Sequence, residues 1–454
     1  MGIALDLAHR ISGICYEDLP DRAVYWAKVA ITDTIGVALA GSKERSKELV
    51  ERTVGTCASP GGSCLVFGGS TRASSLDATL INGTAAHALD FDDTSKTMSG
   101  HPSAVIVPAL VALGEEIGAS GKKIIEGYVA GFETGTSIGR GVNFYHYEKG
   151  WHPTATLGIF GTAASCARLL ELSDEQVATA LSICVSLSSG VKANFGSMTK
   201  SLHAGVAARN GLFAVLLARE GFTASSDAFE QSQGFFEVFN GPGNYDLHKI
   251  LENWANPLDI LKTGVSIKQY PCVYSVHAAI DAAIQLRNKH LLDCEQIGDV
   301  EVCMHQRRLL PHVTMPATSG LNAKFSLPYI IARALIDGRV LLEHFEGNAY
   351  SEPAIQVLMS KIHTKSHTDD SKDYSGAVVV TLKDGSKNSE YVVSPRGRGP
   401  ENPLSNEDLE LKFENCASRL LPTDRAKSLY SQLKVLEEVD SIRKITSLIE
   451  INSI

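Results

Sequence analysis

Residues 22–41, RAVYWAKVAITDTIGVALAG, carry the pattern on which the fold prediction rests. Apolar side chains recur at helical spacing at Val24, Ala27 and Ile31, and Gly41 stands where a left-handed helix cap would lie. The stretch therefore predicts an amphipathic helix. The same spacing predicts further helices at 103–118, 121–140, 154–171, 174–189, 204–220 and 276–289.

Small side chains are frequent among these helices and allow close packing, so we expect a largely helical domain over residues 1–263. From residue 264 onward apolar and polar residues alternate, and the turn Asp384-Gly385 separates two strand-like runs. This texture indicates a smaller α+β domain over 264–401. Residues 402–454 are helical again and are expected to pack on the first domain.

Composition narrows the class of partner. The chain has 454 residues, 44% of them hydrophobic and 20% charged, and its formal charge of −9 is not gathered into blocks. A small-molecule ligand is therefore favoured, with no nucleic acid and no membrane as partner. Nine cysteines without a Cys-x-x-Cys pair indicate a reducing compartment and no zinc site, and we expect a cytoplasmic protein. The chain has no H-E-x-x-H, P-loop or G-x-G-x-x-G sequence, which disfavours zinc-peptidase and nucleotide-binding classes.

The first candidate for chemistry is HALDFDDT at 87–94, followed by GHPS at 100–103. Three carboxylates and two histidines lie within 15 residues beside a turn, and a carboxylate next to an imidazole is a common way to orient a general base. The structural interpretation is equally simple: Asp92 and Asp93 cap a helix, and the histidines pack in the core.

Three further segments place basic residues near flexible backbone. His152 lies in GWHPT at 150–154, immediately before an apolar helix. Lys200 and His203, in NFGSMTKSLHAG at 194–205, are three residues apart and share one face if the helix has already begun. The fourth segment is KQYPC at 268–272, with His277 after it. Taken singly, each residue is as well explained by a surface lysine or a structural histidine.

Together, in order and spacing, the four segments resemble the MmgE/PrpD family, whose members include 2-methylcitrate dehydratases, cis-aconitate decarboxylases and an iminodisuccinate epimerase. The resemblance spans nearly the whole chain. It implies a mainly α fold, in which a large helical domain built from both chain ends carries a smaller α+β lid domain. It also implies a homodimer and an active site in the cleft between domains, with no metal and no cofactor.

The resemblance also assigns residues to the site. The implied catalytic residues are Asp93, His101, His152, Lys200 and His277. The implied substrate-binding residues are Lys268, His203, Thr97 and Ser103. One departure concerns decarboxylases of the family, which can use a tyrosine before the AKFS stretch at 323–326, whereas residues 305–324 contain none.

The expected function is that of a lyase acting next to a carboxylate of a small di- or tricarboxylic acid, by dehydration or decarboxylation. Lys200 and Lys268 would hold the substrate carboxylates, His152 or His101 would move the proton, and Asp93 would orient an imidazole. His277 is the expected second acid for a dehydratase. Two alternatives stay open: an epimerase of an iminodisuccinate-like acid, which needs two opposed bases, and a catalytically silent binding homologue.

Overall fold

The computed structural model describes residues 2–55 and 62–451. The chain divides into two compact units. The large unit comprises Met1–Asn194, Met198–Ile267 and Ser405–Ile454, and the small unit comprises Phe195–Ser197 and Lys268–Leu404. The divisions fall at 267/268 and 404/405, and the three residues before Met198 group with the small unit.

The large unit is helical in its N-terminal part, apart from a short hairpin of strands β1 (Cys64–Leu65) and β2 (Arg72–Ala73). Its helices up to residue 267 are α1 (Ile3–Ser12), α2 (Asp21–Gly41), α3 (Arg45–Gly55), α4 (Ser75–Ala88), α5 (Ser103–Ile117), α6 (Gly121–Val142), α7 (Tyr145–Glu148), α8 (Pro153–Thr156), α9 (Gly158–Leu169), α10 (Asp174–Leu187), α11 (Met198–Arg219), α12 (Phe235–Phe239), α13 (Leu247–Leu251) and α14 (Asp259–Lys262).

The small unit is built on a four-stranded mixed sheet. Its helices and strands are α15 (His277–His290), β3 (Ile297–His305), α16 (Pro311–Thr314), α17 (Gly320–Ala323), α18 (Leu327–Asp337), α19 (Pro353–Met359), β4 (Ile362–His367), β5 (Gly376–Leu382) and β6 (Lys387–Val392). The sheet order is β4-β3-β5-β6, with β4 parallel to β3 and the other pairs antiparallel. Alternating buried residues of β3 and β5 join α15 and α18 in one apolar core. The predicted mainly α fold with a smaller α+β domain is confirmed.

The chain returns to the large unit with helices α20 (Asn406–Ala417), α21 (Thr423–Lys434) and α22 (Arg443–Ile449). A buried ion pair fixes the return, because Lys412 Nζ lies 2.6 Å from Asp33 Oδ1 on α2. Helices α2 and α11 have the length and mean hydropathy of a membrane span, but 78% and 56% of their apolar windows are buried inside the protein. They are therefore explained as core helices.

Several predicted elements hold, and three change. The helix predicted at 174–189 is α10, which begins behind a capping box of Ser173 with Gln176, and Gly385 lies in the turn of the β5–β6 hairpin with φ 86°. The predicted helix 154–171 is interrupted at Leu157, and helix 204–220 begins earlier, at Met198. Gly41 remains helical instead of forming a left-handed cap. A Cβ there would lie 2.0 Å from the Ala85 carbonyl oxygen, so this glycine allows α2 and α4 to approach.

A second glycine contact brings together the helices that carry the site. Gly83 of α4 faces Gly205 of α11, and a Cβ on Gly205 would lie 2.3 Å from the Leu80 carbonyl oxygen. The two helices therefore pack at backbone contact. This crossing lies one turn before His87 on α4 and just over one turn after Lys200 on α11, so it sets the distance between those side chains.

Replacing Gly205 by alanine should force α4 and α11 apart. We expect a loss of about 3 kcal/mol in the free energy of unfolding, since the clash is with backbone, together with lower turnover. Chemical denaturation followed by an assay below the melting temperature measures both. Gly55→Ala is the matched control, because its Cβ meets nothing within 4 Å. Equal stability of the two variants would contradict the proposed role of the crossing.

Candidate active site

The turn after α4 brings carboxylates back toward the helix that precedes them. Asp90 adopts a left-handed backbone, with φ 53°, which aspartate tolerates better than most residues. His87 lies on the last turn of α4, and His87, Asp90 and Asp92 are all buried. The turn thus converts the HALDFDDT sequence into a cluster of one imidazole and two carboxylates.

Lys200 supplies the cation of this cluster. Its Nζ lies 2.6 Å from Asp90 Oδ1 and 3.0 Å from His87 Nε2. Since an ammonium group only donates hydrogen bonds, His87 Nε2 accepts, and its proton resides on Nδ1. Burial, reinforced by Lys200, lowers the pKa of His87 to about 3, although the Asp92 carboxylate opposes the shift. His87 is therefore a neutral bridge between Lys200 and Asp92.

Asp92 is shared by two histidines. Its Oδ2 lies 2.8 Å from His87 Nδ1 and 3.0 Å from His101 Nδ1. Burial alone would raise the pKa of this carboxyl, but the two imidazoles hold it well below its ordinary value. Asp92 is therefore ionised and orients both rings. His101 is also tied to the next segment, because its backbone N–H donates to Thr154 Oγ1 at 3.1 Å.

His152 lies against the same cluster. Its ring stacks on His87 with centroids 5.6 Å apart, and its Nδ1 lies 3.1 Å from His203 Nδ1. His152 immediately precedes α8 and is 2% exposed. Burial, followed by the nearby Lys200 charge, lowers its pKa well below the ordinary value for histidine. His101, His152, Lys200 and His203, predicted from three separate segments, are thus brought together.

Asp93 was expected to orient an imidazole, but its carboxyl group bonds to Ser103 instead. Its carboxylate bonds to the Ser103 backbone N–H and hydroxyl, and Ser103 Oγ lies 2.7 Å from the Tyr128 hydroxyl. Burial raises the pKa of Asp93 to about 8, so this carboxyl carries a proton at neutral pH. The carboxylate that orients imidazoles is Asp92, which corrects that part of the prediction. Ser103, expected to bind substrate, is bonded to Asp93 and Tyr128.

Thr97 lies in a loop that other residues clamp. Its hydroxyl donates to Asp259 Oδ1 at 3.3 Å, and its carbonyl oxygen accepts from Asn143 Nδ2 at 3.0 Å. Asn143 also bonds the Met98 carbonyl oxygen at 2.9 Å. These bonds hold the loop between Asp93 and His101 in place, and substrate contact by Thr97 stays a prediction.

The small unit carries the other two predicted residues. Lys268 and His277 are both buried, at 1% and 0% exposure, and His277 is the first residue of α15. The His277 ring lies 5.1 Å from the Tyr270 ring. Tyr270 donates to Asp281 at 2.6 Å and is thereby fixed to α15. The roles of Lys268 and His277 stay predictions.

Two features resemble other kinds of site, a metal site and the nucleophile elbow of a hydrolase. His87, Asp90, Asp92 and His101 present ligand atoms within 4.8 Å of one another, a spacing that suits a metal ion. In this arrangement Lys200 Nζ already contacts two of the four, and a metal ion there would have to displace that ammonium group.

A Gly-x-Ser-x-Gly sequence occurs at 135–139, but it lies within α6, where the Ser137 hydroxyl donates to the Ile250 carbonyl oxygen. It is therefore no nucleophile elbow.

Comparison with known proteins agrees with this architecture. The MmgE/PrpD N-terminal domain matches residues 5–248, and the MmgE/PrpD C-terminal domain matches residues 270–438. The chain belongs to the MmgE/PrpD family.

Its curated relatives include cis-aconitate decarboxylases. The human protein is 29% identical over 461 residues, covering 99% of this chain and 94% of the relative. The mouse protein is 28% identical over 456 residues, covering 98% and 92%. The Aspergillus terreus protein is 27% identical over 476 residues, covering 99% and 96%.

Proposed function

We propose that this protein is a lyase that removes carbon dioxide from a small unsaturated tricarboxylic acid, with cis-aconitate as the first candidate. The observation that carries the proposal is the buried arrangement of Lys200, Asp90, His87 and Asp92 beside His101 and His152. Relatives that match 98–99% of the chain are named cis-aconitate decarboxylases.

Decarboxylation needs a cation and an acid at one place. The bond between the substrate carbon and its carboxylate breaks, carbon dioxide leaves, and the electron pair stays on carbon and spreads onto a neighbouring group. Lys200, which is ion-paired with Asp90, stabilises that negative charge. A protonated histidine then gives its proton to the carbon, and His152 or His101 is the proposed donor.

His87 and Asp92 position the proton donor and the lysine instead of contacting the substrate. Asp92 fixes the orientation of His101 and His87, and His87 accepts a hydrogen bond from Lys200. The sharing of Asp92 couples the acid to the cation, so a change in one alters the position of the other. A carboxylate-binding role for Lys268 and an acid role for His277 are part of the same proposal.

One sequence feature favours a second candidate. The missing tyrosine in residues 305–324 removes a group that decarboxylases of the family can use. A dehydratase instead transfers the carbon-bound proton to a base and loses hydroxide as water, and an epimerase only exchanges that proton. The same histidines serve either reaction, so product analysis has to separate the three.

Mass spectrometry of the purified protein in deuterated buffer tests the proposal. With cis-aconitate we expect release of carbon dioxide and one solvent deuterium on the product carbon, at a rate unchanged after dialysis against EDTA. Loss of water from 2-methylcitrate, or deuterium in recovered iminodisuccinate without carbon dioxide, would replace decarboxylation by the corresponding alternative. Binding without turnover would favour the silent homologue. The homodimer and the cytoplasmic location belong to the same proposal.

A further inference from the structure

Decarboxylation consumes one proton in every turnover, because a carbon–carboxylate bond is replaced by a carbon–hydrogen bond. Under the proposed function that proton ends on the product and is not returned to the enzyme. The histidine that supplies it must therefore be recharged from solvent each time. His152 is 2% exposed, so its supply of protons requires a path.

The structure shows one neighbour suited to that path. His203 Nδ1 lies 3.1 Å from His152 Nδ1, within hydrogen-bonding distance. A bond between two imidazole Nδ1 atoms holds a single proton, which resides on either ring. His203 lies one helical turn beyond Lys200 on α11 and, unlike His152, is only half-buried.

The local packing keeps the two rings in contact. Gly190 packs beside the His203 ring, since a Cβ added to Gly190 would lie 3.5 Å from His203 Cγ. The Gly190 carbonyl oxygen accepts from the His152 backbone N–H at 3.0 Å. The segment carrying His152 is further paired through the Trp151–Val191 bridge. His203 makes no ion pair with a carboxylate among residues 2–55 and 62–451, so no salt bridge stabilises its protonated form.

We propose that His203 is a proton-relay residue, which passes protons from solvent to the buried His152 across their shared hydrogen bond. This inference rests on the proposed function. It replaces the expectation that His203 binds substrate.

The relay balances without any redox partner. Water or a buffer acid protonates His203, and a proton crosses from His203 Nδ1 to His152 Nδ1. The His152 imidazolium then gives a proton to the substrate carbon, and both rings end neutral. Burial and the Lys200 charge lower the pKa of both rings in the free protein, so a stored proton is released readily. An anionic substrate beside His152 favours the charged ring, which draws the proton inward.

Chemical rescue tests the relay directly. His203→Ala should lower kcat on the order of 100-fold with little change in KM, and added imidazole should restore a large part of it in a saturable way. In this variant kcat should also rise with buffer concentration, which a purely structural residue would not cause. His248→Ala serves as control, since His248 is an exposed histidine in the same unit. It should keep its activity and show no imidazole effect.

Three results would overturn the relay. These are full activity of His203→Ala, loss of activity that no small buffer restores, and equal stimulation of the unaltered enzyme by imidazole. His203→Gln provides a second variant should the alanine variant not fold. Carbon dioxide release by the unaltered enzyme tests the proposed function separately. If that enzyme exchanges substrate hydrogen with solvent instead, the same variants are compared by their exchange rates.

Discussion

Lys200→Met should lower kcat/KM by about 10²- to 10³-fold, since it removes the ammonium group that bonds to both Asp90 and His87. The variant should also lose about 3–5 kcal/mol of stability, because the buried Asp90 carboxylate loses its ion pair with the Lys200 ammonium group. Steady-state kinetics below the melting temperature, with denaturant unfolding in parallel, measure the two effects.

A matched lysine separates catalysis from stability. Lys47 is also buried in the large unit, and its Nζ lies 2.6 Å from Glu51 Oε2, the same distance as in the Lys200–Asp90 pair. Lys47→Met should lower the melting temperature and leave kcat unchanged. Adding Asp90→Asn to the Lys200→Met variant should restore stability without restoring activity. Normal turnover of Lys200→Met would remove Lys200 from the site.

Asp92→Asn should reduce kcat by about 10²- to 10⁴-fold, because a neutral amide lacks the negative charge that holds the two imidazoles in place. His87 and His101 would lose the charge that orients them. Since Asp92 Oδ2 is the shared atom, the pH dependence of kcat should change as well. A pH–rate profile of the variant is the measurement.

Asp93→Asn is the neighbouring comparison. Burial raises the pKa of Asp93 to about 8, so at pH 7 its carboxyl is already neutral and an amide resembles it closely. We expect a kcat within a few fold of the unaltered enzyme. A larger loss in Asp93→Asn than in Asp92→Asn would reverse the assignment drawn from the structure and support the original prediction.

Local sequence patterns were sufficient for the helix that carries Lys200 and His203. Because α11 begins at Met198, the two side chains fall on one face, as their spacing predicts. Such patterns could not show whether Asp92 or Asp93 faces the histidines. The left-handed backbone of Asp90 redirects the chain, and which of the following carboxylates faces the histidines depends on that turn.

His87 shows a second limit. It was part of the motif HALDFDDT, yet sequence patterns assigned it no role of its own. Its importance comes from the glycine crossing of α4 and α11, a contact between residues more than 100 positions apart. Gly83 and Gly205 each look ordinary in sequence, and only their pairing in space brings His87 Nε2 to Lys200. Non-local packing of this kind is invisible to periodicity.

The return of α20 to α22 to the large unit bears on the order of events during synthesis. Glu115, near the end of α5, accepts a hydrogen bond from Thr446, and Asp33 pairs with Lys412. Thr446 and Lys412 emerge from the ribosome only after the whole small unit has been made. The histidines and Lys200 are synthesised early, but the helices that support them wait for their last neighbours. We therefore expect the nascent large unit to expose the apolar surface that α20–α22 cover until these helices have been made.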